Sequence, residues 1–96
     1  MPRYWVYILA SQKLGTLYIG VTGRLAARIA EHRDGAVAGF TKKYGVTRLV
    51  HLEGFDQIEE AIAREKALKK WRRALTIELI EAGNPEWRDL WFDLNA

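Results

Sequence analysis

The segment from Tyr4 to Ser11 constrains the fold more than any other part of the chain. It is aromatic and β-branched, apolar at nearly every position, and bounded by polar residues. Such a run lacks the polar alternation of a strand with one wet face, so it reads as a strand covered on both faces. Covering it needs a layer of structure above and a layer below. A chain of 96 residues buries about 60–65 % of its unfolded surface, enough for one core. One domain spanning residues 1–96 is therefore expected, and with about half its residues hydrophobic it can build that core.

The rest of the chain supplies the cover. Gln12-Lys13-Leu14-Gly15 reads as a turn and Thr16 to Val21 as the second strand of a hairpin. Thr22-Gly23 opens a helix running to about Arg33, with Thr22 as its N-cap and Asp34-Gly35 as its end. Ala36 to Gly45 reads as a loop of small and basic residues that also holds Phe40 and Tyr44, and Val46 to Glu53 as a third strand. Asp56 followed by Glu59 has the spacing of a capping box, so a second helix is expected from Gln57 to about Lys70. Arg72 to Ala82 forms a third helix ended by Gly83, and Asn84-Pro85 starts a short last one. The order β-β-α-β-α-α-α describes an α+β domain, a small sheet with helices packed around it.

Composition excludes several chemistries. Without cysteine there are no disulfides, zinc ribbons, iron–sulfur sites or thiol nucleophiles, and two histidines are too few for a closed zinc site. No apolar run approaches a membrane span, and Met1-Pro2-Arg3 leads into the first strand without a secretory cleavage pattern, so a cytoplasmic protein is expected. Charge is divided unevenly: residues 1–73 carry +7 and residues 74–96 carry −4. Arg64 to Arg73 holds six basic residues against Glu65. Such a cluster attracts polyanions, nucleic acid above all, although a solvated helix face looks the same in sequence.

A few residues sit awkwardly in a purely structural reading. On the helix from Gln57, Ile58, Ala61, Ile62 and Leu68 mark an apolar stripe, and Glu65 lies about 20° from Ile58 within it. A carboxylate there needs a cation or a cleft, as a salt bridge, a metal ligand or a catalytic acid. On the first helix, Leu25 and Ile29 mark the buried side, and Arg28 and His32, one turn apart, sit at its edge. Arginine suits phosphate, and histidine moves protons near neutral pH. Tyr7 and Tyr18 are about equidistant from the hairpin turn and are expected to be cross-strand neighbours. His51 falls on the third strand and reads as structural. Trp71, Trp87 and Trp91 read as packing for the C-terminal helices, although an exposed one could stack a base.

Taken together, these residues resemble a known pattern. Trp5-Val6-Tyr7, then ten residues, then Tyr18-Ile19-Gly20, resembles the paired tripeptides of the GIY-YIG endonuclease superfamily. Gly20-Val21-Thr22, Arg28, the pair Glu31-His32, Glu65 within Ala63-Arg64-Glu65-Lys66, and Asn84-Pro85 with Trp87 and Asp89-Leu90 continue it. The resemblance spans nearly the whole chain and is closest to small standalone bacterial members. The first tripeptide departs from Gly-Ile-Tyr at position 5, outside the proposed chemistry.

The resemblance implies a three-stranded antiparallel sheet flanked by helices, with the third strand beside the first. It implies a divalent-metal-dependent endonuclease acting on DNA, with RNA left open, and using Mg²⁺ or Mn²⁺. Glu65 would be the metal ligand and Arg28 would hold the scissile phosphate. Tyr7 and Tyr18 would orient or deprotonate the attacking water, with the base unassigned between them. His32 would hydrogen-bond one tyrosine and relay its proton, and Asn84 would contact the site. Lys42, Lys43, Lys69 and Lys70 could reach phosphates. Structure-selective cleavage in repair or recombination is the first expectation. A nucleic-acid-binding module without turnover is the alternative, and a protein-interaction domain using the acidic tail and tryptophans is a third reading.

Overall fold

β1 (Tyr4–Ala10) is the middle strand of a three-stranded antiparallel sheet ordered β2-β1-β3, with β2 at Leu17–Thr22 and β3 at Arg48–Phe55. The computed structural model describes residues 1–37 and 39–94. Helices α1 (Leu25–Arg33), α2 (Phe40–Tyr44), α3 (Ile58–Lys69), α4 (Arg73–Gly83) and α5 (Trp91–Leu94) surround the sheet. This is the expected α+β class, with the third strand beside the first.

The central strand is covered on both faces, as its composition requires. Tyr7 and Leu9 point to one face and pack with Ile29 of α1, Val46 and Leu49. Val6, Ile8 and Ala10 point to the other, against Ala61 and Leu68 of α3, Ile80 of α4, and Trp87. Val6 through Ala10 are all buried. Each large apolar side chain removed from water in this way contributes about 1.5–3 kcal/mol, so β1 anchors both layers.

The two edges of the sheet are treated differently. Against β1, β3 carries a bulge: Ile8 faces His51 and Leu9 faces Leu49, so Val50 has no partner in β1. The outer edge of β3 is closed by the segment after α4. Leu90 N–H donates to the Leu49 carbonyl at 2.7 Å, Leu49 N–H donates to Asp89 Oδ1 at 3.1 Å, and Asn84 Nδ2 donates to the Val50 carbonyl at 3.2 Å. Asp89 also accepts from Arg33 Nη1 at 2.5 Å and from Trp91 N–H at 3.1 Å. This covers strand groups that would otherwise invite pairing with another chain. Between β3 and α3, Arg64 donates twice to Glu53, at 2.7 and 3.1 Å, and His51 bonds the same carboxylate. Burial pushes Glu53 up, but the hydrogen bonds from Arg64 and His51 outweigh it and hold the carboxyl below its ordinary range.

Local expectations fail in four places. Thr22 does not cap α1: Arg24 is the N-cap residue, and Thr22 Oγ1 accepts the Arg24 N–H at 3.0 Å, so the turn forms before the helix begins. The Asp56–Glu59 pair makes no capping box, because α3 starts after Gln57 and the two residues fall one position out of register for it. Within the expected loop of residues 36–45, of which residue 38 lies outside the described residues, Phe40–Tyr44 is helical. It is bracketed by Gly39 and Gly45 at positive φ, and five residues are too few to show a periodicity. Finally, Asn84-Pro85 starts a turn, not a helix. Asn84 ends α4, its side chain bonds Val50 and the Arg88 backbone, and the last helix forms later, at Trp91–Leu94.

Asp89→Ala removes the acceptor for Leu49, Trp91 and Arg33 at once. A loss of about 2–4 kcal/mol is expected from three broken bonds, two of them to a charged group through backbone N–H. Urea denaturation measures it, and amide exchange at Leu49 should accelerate with it.

Candidate active site

The site begins with a missing side chain. Tyr7 on β1 is paired with Gly20 on β2, and a Cβ at Gly20 would collide with Tyr7 Cζ and Oη. Glycine at 20 therefore lets the Tyr7 ring lie across β2. Tyr7 and Tyr18 are cross-strand neighbours, as expected, but diagonal and not directly opposite. Tyr18 faces Leu9, and the two tyrosines are diagonal neighbours on one face with ring centroids 6.3 Å apart.

Tyr7 ends in a buried polar chain. Its hydroxyl meets His32 Nε2 at 3.0 Å, and His32 Nδ1 meets Thr41 Oγ1 of α2 at 3.1 Å. His32 was expected at the edge of the helix stripe but is fully buried, as is Thr41. Tyr18 packs its ring 5.4 Å from the imidazole and stacks on Phe40 at 6.5 Å. Arg28, one turn before His32 and partly exposed, lies with its guanidinium against the Tyr7 hydroxyl and donates to Glu31 at 3.3 Å. α1 thus directs Arg28 and His32 to the same tyrosine because 28 and 32 are four residues apart.

The electrostatics follow from burial. Desolvation pushes Tyr7 up to about 12, with Arg28 acting against it and the neighbouring Tyr18 adding to it. Desolvation and then the Arg28 charge push His32 down, against a smaller opposite pull from Glu31. At neutral pH the pair is a neutral phenol bonded to a neutral imidazole. The Arg28 charge is further stabilised, first by Tyr7 and then by Glu31.

The other expected site residues lie elsewhere. Glu65 is on α3, which packs on the opposite face of the sheet, and it is mostly buried and paired with Lys69 at 3.0 Å. A groove of about 460 Å³ runs along the outer edge of β2. Tyr18 lines it from the sheet, and Leu68, Lys69, Trp71 and Arg73 line it from the α3–α4 corner. Tyr18 and the Glu65–Lys69 pair thus approach the same edge from the two faces. Among the described residues no three His, Asp or Glu side chains converge on one point, so Glu65 offers a cation one carboxylate. Asn84 is not brought to the tyrosines; its bonds go to Val50 and Arg88. Lys42 and Lys43 are exposed on α2, and Lys70 is exposed at the end of α3.

Of the tryptophans, Trp87 is buried, while Trp71 and Trp91 lie beneath Arg64 and Arg33. The exposed aromatic pair beside the site is instead Phe40 and Tyr44, with rings 4.9 Å apart. Thr41, Phe40 and Tyr44 are the site neighbours that sequence reasoning missed. The paired glycines around Phe40–Tyr44 were the available signal.

Gly20→Ala should destabilise the fold by about 1–3 kcal/mol and displace Tyr7 from His32, read by denaturation and by the Tyr7–His32 nuclear Overhauser effects. His32 should titrate below the ordinary histidine value of about 6.5 in an NMR pH series. Its folded value is depressed, so its contribution to stability is present above the unfolded value and lost as pH falls through the folded one.

Comparison with known proteins adds a family. The model of the GIY-YIG catalytic domain matches residues 3–78. A UPF0213 protein of Syntrophus aciditrophicus is 41 % identical over 88 residues, covering 90 % of this chain and 98 % of that protein. One of Staphylococcus saprophyticus is 35 % identical over 83 residues, covering 86 % and 100 %. The solution NMR structure of the UPF0213 protein of Bacillus halodurans superimposes with a TM-score of 0.56 at 31 % identity, covering 90 % of each chain.

Proposed function

The chain belongs to the GIY-YIG catalytic domain family, and from that premise we propose that residues 1–96 form a divalent-metal-dependent endonuclease. It hydrolyses phosphodiester bonds in DNA, selects by DNA structure, and serves repair or recombination. The observation that carries this reading is the convergence of Arg28, Tyr7, His32 and Tyr18 on one face of the sheet. Binding alone does not call for a buried tyrosine–histidine pair beside an arginine.

Arg28 holds the scissile phosphate. Its guanidinium stays charged and presents a planar fork to two oxygens, and its bond to Glu31 is long enough to yield to a dianionic transition state. The base is assigned to Tyr18. Tyr7, raised to about 12, stays protonated at neutral pH and is occupied by His32. Tyr18 borders the open groove, where water and substrate have access. Tyr7 holds its hydroxyl against Arg28 and keeps the guanidinium aimed. Asn84 acts indirectly, by fixing the segment that closes β3.

Glu65 fits a single hydrated Mg²⁺ or Mn²⁺, since magnesium keeps most of its waters and is typically held by one or two carboxylates plus substrate phosphate. Lys69 now neutralises that carboxylate, which marks the position as one that accepts a cation. When bound, the metal supplies charge neutralisation and polarises the phosphate. Lys42, Lys43, Lys69 and Lys70 bind phosphates along the strand, so affinity should fall with salt.

The test is cleavage of labelled single-stranded, double-stranded and branched DNA, and of RNA, with Mg²⁺, with Mn²⁺ and with EDTA. Metal-dependent product is expected. Glu65→Gln, Tyr18→Phe and Arg28→Lys, each shown to be folded, should lower the rate by about 10²-fold or more. Binding without cleavage on every substrate would turn the reading to a nucleic-acid-binding module.

A further inference from the structure

We infer that Thr41 is a positioning residue for the active site, fixing the tautomer of His32 and through it the direction of the Tyr7 hydroxyl. The inference rests on the nuclease reading for its consequence but not for its geometry. Three atoms carry it: Tyr7 Oη, His32 Nε2 at 3.0 Å from it, and Thr41 Oγ1 at 3.1 Å from His32 Nδ1. All three side chains are buried, with Tyr7 and His32 at 1 % and Thr41 at 2 % exposure. No water needs to be invoked for either ring nitrogen.

The direction of the chain follows from the inventory of donors. Arginine only donates, so the Tyr7 oxygen is an acceptor toward Arg28 and its own O–H is left to donate. That proton points at His32 Nε2, which must then be the bare nitrogen. A neutral imidazole has one N–H, so it sits on Nδ1 and donates to Thr41 Oγ1. Thr41 is the terminal acceptor. Without it a buried N–H has no partner, and nothing offsets its loss of water. The opposite tautomer relieves that by moving the proton to Nε2. Nε2 then competes with Arg28 as a donor to the Tyr7 oxygen, and the Tyr7 O–H must turn away.

The position of Thr41 in the chain gives this a functional reach. α2 is bounded by Gly39 and Gly45, both at positive φ, where only glycine rests without strain. Its inward residue is Thr41, and its outward residues are Phe40, Lys42, Lys43 and Tyr44. The element that would bear on substrate phosphates is therefore also the one that sets the proton on His32.

Long-range ¹H–¹⁵N correlation spectra of His32 in the full chain read the tautomer directly, with or without activity. The wild type should show protonated Nδ1 and bare Nε2. Thr41→Val, nearly the same shape without the hydroxyl, should move the population to protonated Nε2, and Thr41→Ser should restore it. In the cleavage assay Thr41→Val should lower kcat about tenfold with KM unchanged, and Thr41→Ser should recover it; a structural defect would not separate in this way. A wild type with protonated Nε2 overturns the proposal even if Thr41→Val fails to fold. So does a folded Thr41→Val that keeps the wild-type tautomer. If the tautomer behaves as expected and no substrate is cut, the positioning stands and the nuclease reading falls.

Discussion

A hydroxyl placed inside a strand that is buried on both faces is the constraint from which the rest of the structure follows. β1 must be apolar to hold two layers together, yet Tyr7 sets a polar atom into one of them. A hydroxyl without a partner there costs about 1–3 kcal/mol, so the neighbouring elements are arranged around it. β2 offers a glycine opposite the ring, α1 offers His32 and Arg28 from adjacent turns, and α2 completes the imidazole with Thr41. No buried side-chain polar atom is left without a partner among the described residues. The same network that settles the folding problem collects the groups that phosphate chemistry uses.

The treatment of the sheet edges follows the same logic. Asp89, Leu90 and Asn84 occupy the outer edge of β3, and the Arg33–Asp89 pair ties that strap to the helix carrying His32. The groove lies along the outer edge of β2. A strand edge with a tyrosine on one side and a basic corner on the other suits an extended polyanion. One edge is thus closed by the strap and the other is left open along the groove. The bulge at Val50 lies in the β1–β3 pairing, and the Val50 carbonyl accepts from Asn84 Nδ2.

Most of the fold was legible in the sequence because its strongest signals are tied to burial. The unbroken apolar run of β1 demanded cover on both faces, and the helical stripes of Leu25–Ile29 and Ala61–Leu68 named what covers it. The meeting of Tyr7, Tyr18, Arg28 and His32 was legible from strand and helix periods, although His32 lies deeper than the edge position its helix period gave it. What failed was what depends on one hydrogen bond. Caps slid by two residues at Thr22 and by one at Asp56, and Asn84 answered to Val50 and not to Pro85. Thr41 was invisible because a five-residue helix has no period, and its importance lies entirely in a contact nine residues away in sequence.

The charges around the site argue for a protein poised for substrate and not spent on its own stability. Arg28 is held by Glu31 and Lys69 by Glu65, each within one turn of its own helix and each partly open to water. Exposed pairs of this kind contribute about 0–1 kcal/mol, so a phosphate that replaces Glu31 at Arg28 gives up little folding energy. The Arg33–Asp89 and Arg64–Glu53 pairs are different. They join separate elements, carry backbone or second side-chain bonds on the same carboxylate, and are needed to hold α1 and α3 in place. Arg33 and Arg64 bind elements together, whereas the ion pairs of Arg28 and Lys69 stay within their own helices. The latter two face the tyrosines and the groove. On the proposed reading Glu65 would hold a divalent cation in place of Lys69, and that cation would supply charge neutralisation to the phosphate.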